Sequence, residues 1–118
     1  MQTLLYVSGE ETSSRKTLSD LRASGYDEVW ATTVREAEWL LLEGRFRTVI
    51  IGPGLFHRER AALAALATTN SLWVILVCTD PSDYAIDADL YVDQTEGEPG
   101  ILRAVAKAST VESYEVTV

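Results

Sequence analysis

Residues 73–78 read WVILVC, a run with no polar position. Six apolar residues rich in β-branched side chains form a strand, and the run is far too short to span a membrane. A strand apolar on both faces needs cover on both faces. That condition is met in the middle of a parallel sheet packed between helices. Upstream, TVII at residues 48–51 is a second such run, stopped by Gly52-Pro53-Gly54. TLLYV at residues 3–7 is a third, stopped by Ser8-Gly9. Residues 28–31 (EVWA) and 90–92 are weaker strand candidates.

Helical signals fill the gaps. Ser8 and Glu11 have the S-x-x-E spacing of a capping box, so a helix is expected to start there or at residues 12–14. Leu18 and Leu21 give it an apolar stripe, and Gly25 sits where a left-handed end is expected. Val34, Ala37 and Leu41, with Leu40 beside them, mark an amphipathic helix that stops near Gly44. The alanine-rich residues 58–67 favour helix, with Leu63 and Leu66 as the larger contacts. Pro99 opens a last helix whose core side is Ile101, Leu102, Val105 and Ala108. Strands alternating with helices predict an α/β, doubly wound, five-stranded parallel sheet in the order 2-1-3-4-5, with helices on both faces. Residues 1–108 form the domain. Residues 109–118 are a tail in which Val116 and Val118 alternate with Glu115 and Thr117, as in an extra strand, unless they begin a linker.

The 118 residues predict one domain, and 47% hydrophobic with 24% charged residues is the composition of a folded chain. The single cysteine, Cys78, excludes an internal disulfide and fits a reducing compartment. The N-terminus lacks the basic flank and apolar core of a signal peptide, so a cytoplasmic location is expected. A net charge of −8 argues against binding nucleic acid or anionic membrane. The acid is concentrated: Asp80, Asp83, Asp87, Asp89, Asp93, Glu96 and Glu98 occur with no Lys or Arg among them. Arg45, Arg47, Arg58 and Arg60 flank the third strand. Both clusters fit a solvated rim, or a dipolar surface that orients a charged partner.

The ordered pattern LLYVSGE…GY…REA…LL…TVIIGPGLF…VILVCT…ADLYVDQ resembles a response-regulator receiver domain, the phospho-acceptor module of two-component signalling. The likeness spans about residues 3–108. It rests on strand spacing, on Arg15 and Gly25-Tyr26, and on Ala88-Asp89 before Tyr91. The resemblance implies an acidic pair after strand one that holds Mg²⁺, an acceptor aspartate after strand three, a hydroxyl after strand four and a lysine after strand five. Phosphoryl transfer needs this set, because it is catalysed mostly by positioning and charge neutralisation. Position by position the set is missing. The acidic pair falls on Ser8 and Gly9, with Glu10 next, and the acceptor falls on Gly52. The hydroxyl position falls on Cys78, or on Thr79 one register later, and the lysine on Gln94. No Asp or Glu occurs between Gly44 and His57 to replace the acceptor. The sequence therefore resembles a degenerate pseudo-receiver, neither enzyme nor phospho-acceptor, with no metal or cofactor. Cys78 and Gln94 also stand closer than their family equivalents, and the intervening DPSDYAIDAD predicts a fourth helix cut to about a turn. Tyr91 matches the family's switch aromatic by spacing and reads equally as packing.

Other residues offer weaker chemistry. His57 opens a helix without a Ser, Cys or Asp nearby in sequence. With Arg58, Arg60 and the helix N-terminus it could bind an anion. Gly52-Pro53-Gly54 lacks the third glycine of a dinucleotide loop, and Pro53 removes an N–H donor. Residues 8–14 are similar to the hydroxyl-rich phosphate loop of flavodoxins, but Glu10 and Glu11 would repel a phosphate. Cys78 reads as inert packing, its pKa raised by Asp80. Asp80, Asp83, Asp87 and Asp89 lack the spacing of a Ca²⁺ loop. Two functions follow. One is a module that docks a protein partner or its own copy through the acidic segment with Tyr91, Asp83 and Asp87, and through Tyr114 and Val116. The other is a small-molecule domain seating a nucleotide, flavin or other anion over residues 52–54 and Arg58.

Overall fold

The computed structural model describes residues 3–117, with side chains described for residues 3–109. In chain order the elements are β1 (Thr3–Val7), α1 (Glu11–Ala23), β2 (Asp27–Ala31), α2 (Val34–Leu41), β3 (Thr48–Ile51), α3 (His57–Thr69) and β4 (Trp73–Cys78). A 3-10 turn (Pro81–Ala85), β5 (Leu90–Asp93), a second 3-10 turn (Gln94–Glu96) and α4 (Gly97–Thr117) complete the chain. All strand pairs are parallel and the order is β2-β1-β3-β4-β5, as the alternation predicts.

Alternate residues of each strand feed two cores. Leu5, Val7, Val49, Ile51, Val74, Leu76 and Cys78 pack under α2 and α3 with Val34, Ala37, Leu41, Leu63 and Ala67. Leu4, Tyr6, Ile50, Ile75, Val77 and Val92 pack under α1 and α4 with Leu18, Leu21, Ile101 and Val105. The two-sided burial explains why WVILVC has no polar face. Each large aliphatic side chain so buried contributes about 1.5–3 kcal/mol.

The helix ends follow local chemistry. Thr33 caps α2 by accepting the Glu36 amide at 3.2 Å, and the Glu36 carboxylate accepts the Thr32 amide at 3.2 Å. Gly25, at φ +93°, ends the first helical unit as expected. The expected fourth helix is the single turn Pro81–Ala85, started by the Asp80 carboxylate accepting the Ser82 amide.

Two expectations are corrected. The Ser8/Glu11 capping box does not form: α1 starts at Glu11 with Glu10 as its cap. Ser8 instead continues the β1–β2 ladder past Val7, its amide donating to Ala31 O at 3.1 Å. The second correction concerns the tail, because α4 continues to Thr117 where a strand was expected. No Gly or Pro follows Gly100, and extending an existing helix is easier than nucleating anything new. The backbones of Tyr114 and Val116 therefore belong to α4, while their side chains, and Val118 entirely, lie outside the described set. Among the described residues no helix is long and apolar enough to cross a membrane.

Candidate functional site

In open α/β sheets the working crevice lies beyond the carboxyl ends of the strands. Here the β1–α1 and β3–α3 loops close on each other. The buried Ser8 hydroxyl donates to Pro53 O at 2.8 Å, and the Gly9 amide donates to the same oxygen at 3.1 Å. The Gly52 amide donates to Val7 O at 2.7 Å. The loops approach so closely that a Cβ on Gly9 would stand 2.4 Å from Gly54 O, and Gly54 itself has φ +86°. At Gly52, the position matched to the acceptor, an added Cβ would meet the Tyr6 hydroxyl at 3.1 Å, Val7 O at 3.1 Å and Ser8 Cβ at 3.2 Å. Ser8, Gly9 and Gly52 thus come together, but as a packed backbone junction.

Glu10, Cys78 and Gln94 lie around that junction. Glu10 accepts the Ser13 hydroxyl at 2.9 Å and, with Gln94, lines a cleft between α1 and α4. Cys78 is buried, and burial, then the Asp83 carboxylate, pushes its thiol pKa up. The direction agrees with the inert reading, but the main acidic neighbour is Asp83, not Asp80.

Asp83 is the largest departure from expectation. Sequence reading places it on an exposed acidic surface; it is 1% exposed. Its Oδ2 accepts Arg60 Nη1 at 2.8 Å, the Thr79 amide at 2.9 Å and the Asp80 amide at 3.1 Å. Its Oδ1 meets His57 Nδ1 at 2.9 Å. Burial raises the Asp83 pKa, but the His57 bond, the Thr79 amide and the Arg60 charge outweigh it and hold it at about 2. Arg60 Nη1 also donates to the Thr79 hydroxyl at 3.1 Å, so the hydroxyl after β4 is committed to this ion pair. Arg60 Nε and Nη2 are buried without an acceptor among the described residues.

These contacts also correct the anion reading of His57, Arg58 and Arg60. Arg60 is buried and paired, and His57 turns to Asp83. The Glu59 carboxylate takes the free Phe56 amide at the start of α3, at 3.0 Å. Arg58 lines a shallow cleft with Arg35, Glu38 and Glu59, between α2 and α3. The side chains that would share one anion point to different places.

Tyr91 is tied to the loop before β5. Its hydroxyl donates to Ile86 O at 2.6 Å and accepts the Ala88 amide at 3.2 Å. Its ring lies against Tyr84, with centroids 5.6 Å apart and planes tilted by 32°. Asp89 accepts the Val74 amide at 2.7 Å and fixes this loop to the start of β4. Asp87 lies on a groove left by the short fourth helical segment, floored by Ala61, Ala64 and Ile86. Residues that sequence reading missed are Tyr6, whose hydroxyl stands at the acceptor position, and Tyr84; Arg60 was read as a surface or anion-binding cation and instead pairs with Asp83. The D-x-x-D spacing of Asp80 and Asp83 was the available signal, since the second acid of such a turn folds back on the first.

The cleft beside the junction has a volume of about 260 Å³. Glu10, Asp93 and Glu98 line it with Tyr6, Ser13 and Gln94, above Val77, Val92 and Ile101. Among the described residues no cluster of His, Cys, Asp or Glu could hold a metal ion.

A sheet of this order between two helical layers, with its crevice at the strand ends, is the CheY-like form of the flavodoxin fold. Solved structures match it over nearly their whole length. A signal receiver domain of an HD domain-containing protein from Pseudomonas fluorescens superposes with a TM-score of 0.83 at 19% identity, over 96% of this chain and 98% of that one. A CheY-like receiver domain protein from Methanospirillum hungatei gives 0.82 at 17% identity, over 97% and 98%. The response regulator TrrA from Thermotoga maritima, solved with Mg²⁺–BeF, gives 0.76 at 22% identity, over 92% and 99%. No protein-family model and no curated protein matches the sequence. The likeness is one of fold.

Proposed function

We propose that this chain is a non-enzymatic, phosphorylation-independent receiver-like module that works by binding a protein partner or a second copy of itself. The observation that carries this reading is the Gly52 junction. Where the fold's relatives would present an acceptor, this chain has a glycine whose added Cβ would meet the Tyr6 hydroxyl, and the adjacent loops are hydrogen-bonded to each other. A nucleophile must be a carboxylate to form an acyl phosphate, and Glu10 is turned to Ser13. The hydroxyl of Thr79 is held by Arg60 and Asp83, which supports a fixed arrangement in place of a switch.

The partner surface in this reading is the β5 edge with the Pro81–Ala85 turn. Tyr84 and Tyr91 stand exposed there as a stacked pair, flanked by Asp80, Asp87 and Asp93. Exposed aromatics ringed by acids suit a partner with a basic, partly apolar face. Two measurements test the proposal. Incubation with acetyl phosphate and Mg²⁺, followed by intact mass spectrometry, is expected to give no phosphoryl adduct; a labile adduct would overturn it. Tyr84→Ala with Tyr91→Ala is expected to abolish partner binding or self-association while leaving the circular dichroism spectrum unchanged.

A further inference from the structure

Tyr6 is 1% exposed, yet its hydroxyl has no hydrogen-bond partner among the described residues. The ring is buried, and the hydroxyl is left to whatever enters the cleft that Tyr6 lines. The Tyr6 ring belongs to the core under α1 and α4, its oxygen stands 3.1 Å from where a Cβ on Gly52 would lie, and the residue lines the cleft at the strand ends. Three carboxylates line the same cleft, and no Lys or Arg does. Glu10, Asp93 and Glu98 form no salt bridge among the described residues. Asp93 is already oriented, with Oδ1 on the Thr95 amide and Oδ2 on the Tyr84 hydroxyl. The floor of Val77, Val92 and Ile101 is apolar.

Uncompensated acid above an apolar floor repels anions and favours a cation with a hydrocarbon stem. The carboxylates do not converge as a metal's ligands would. A volume of about 260 Å³ lies below the range for drug-sized ligands and suits one extended side chain or a small amine. We propose that the cleft binds an organic monocation, a guanidinium or primary ammonium on a short aliphatic stem. The Tyr6 hydroxyl accepts one N–H, the carboxylates of Glu10 and Glu98 face the charge, and the stem lies on Val77 and Ile101. The cation is either a free small molecule or the Arg or Lys side chain of a partner. The cleft holds it whether or not the chain accepts phosphoryl groups.

The test is a ¹⁵N–¹H NMR titration of the full chain with n-propylguanidinium chloride, with n-propylurea as the neutral control. Saturable shifts at the amides of Glu10, Ser13, Gln94 and Glu98 are expected with the cation and not with the urea. Glu10→Gln and Glu98→Gln should each weaken binding about tenfold, as loss of one charge-assisted hydrogen bond does. Tyr6→Phe should weaken it without moving the other core resonances. A capped Gly-Arg-Gly peptide that binds more tightly than the free guanidinium assigns the cation to a partner chain; equal or weaker binding assigns it to a small molecule. No saturable shift into the tens of millimolar overturns the proposal. So does equal response to the urea, or the same response to MgCl₂ alone.

Discussion

A methyl group at Gly52 would stand 3.1 Å from the Tyr6 hydroxyl and from the Val7 carbonyl, so both must give by a few tenths of an ångström. Gly52→Ala should therefore cost about 1–3 kcal/mol, as overpacking of a tight site does. Urea denaturation checks this, and a midpoint equal to the parent's would refute the packing account. For the same reason Gly52→Asp should not restore phosphoryl acceptance. Asp83 makes a second prediction. Its carboxyl titrates at about 2 in the fold against 3.8 without the fold. A depressed pKa supplies stability that is complete above about pH 4 and is lost as pH falls toward 2. Asp83→Asn strands the buried Arg60 charge and should cost about 3–5 kcal/mol at neutral pH. It should also flatten the acid limb of the stability curve, read by denaturation at stepped pH. Cys78 shows the converse effect, since burial keeps its thiol protonated. It should react with Ellman's reagent only at the rate of unfolding.

At the scale of elements, the helix starts separate what spacing reveals from what it does not. Thr33 and Glu36 have the capping-box spacing and make half of one: the Thr33 hydroxyl accepts the Glu36 amide, while the Glu36 carboxylate takes the amide of Thr32, so Thr33→Ala should cost about 1 kcal/mol and Thr33→Gly only a few tenths. A thermal melt distinguishes the two. Ser8 and Glu11 have the same spacing and make neither bond of a box, because the Ser8 amide extends the β1–β2 ladder and its hydroxyl is bonded to Pro53. β3 and β4 match their expected limits because β-branched runs end at clear stops. β5 extends one residue further, to Asp93, which turns back to accept the Thr95 amide. The tail misleads because alternation over four residues is a weak signal beside a helix already under way.

At the scale of the molecule, charge is lopsided. The net −8 includes seven acids within residues 80–98 and no base among them. Asp83 is neutralised inside by Arg60, while most of the others face solvent and repel one another. Raising NaCl from a few millimolar to about 0.15 M shortens the Debye length to about 8 Å and should raise the melting temperature. A fall would mean that the surface ion pairs outweigh the repulsion.

The linear chain alone determined the parallel sheet, its order, the shortened fourth helix and the absence of an acid near Gly52. The elements themselves depend on neighbours within a few residues, where periodicity and stop residues act directly, and the order follows from the topology that alternating strands and helices impose. Only the tertiary structure decided which charges are buried and which hydroxyl fills the acceptor position. Asp83 meets His57 and Arg60 across more than twenty residues of chain, and Tyr6 meets Gly52 across the sheet. The environment of a titratable group depends on what stands within a few ångströms of it, and hydrophobic patterning does not specify those encounters.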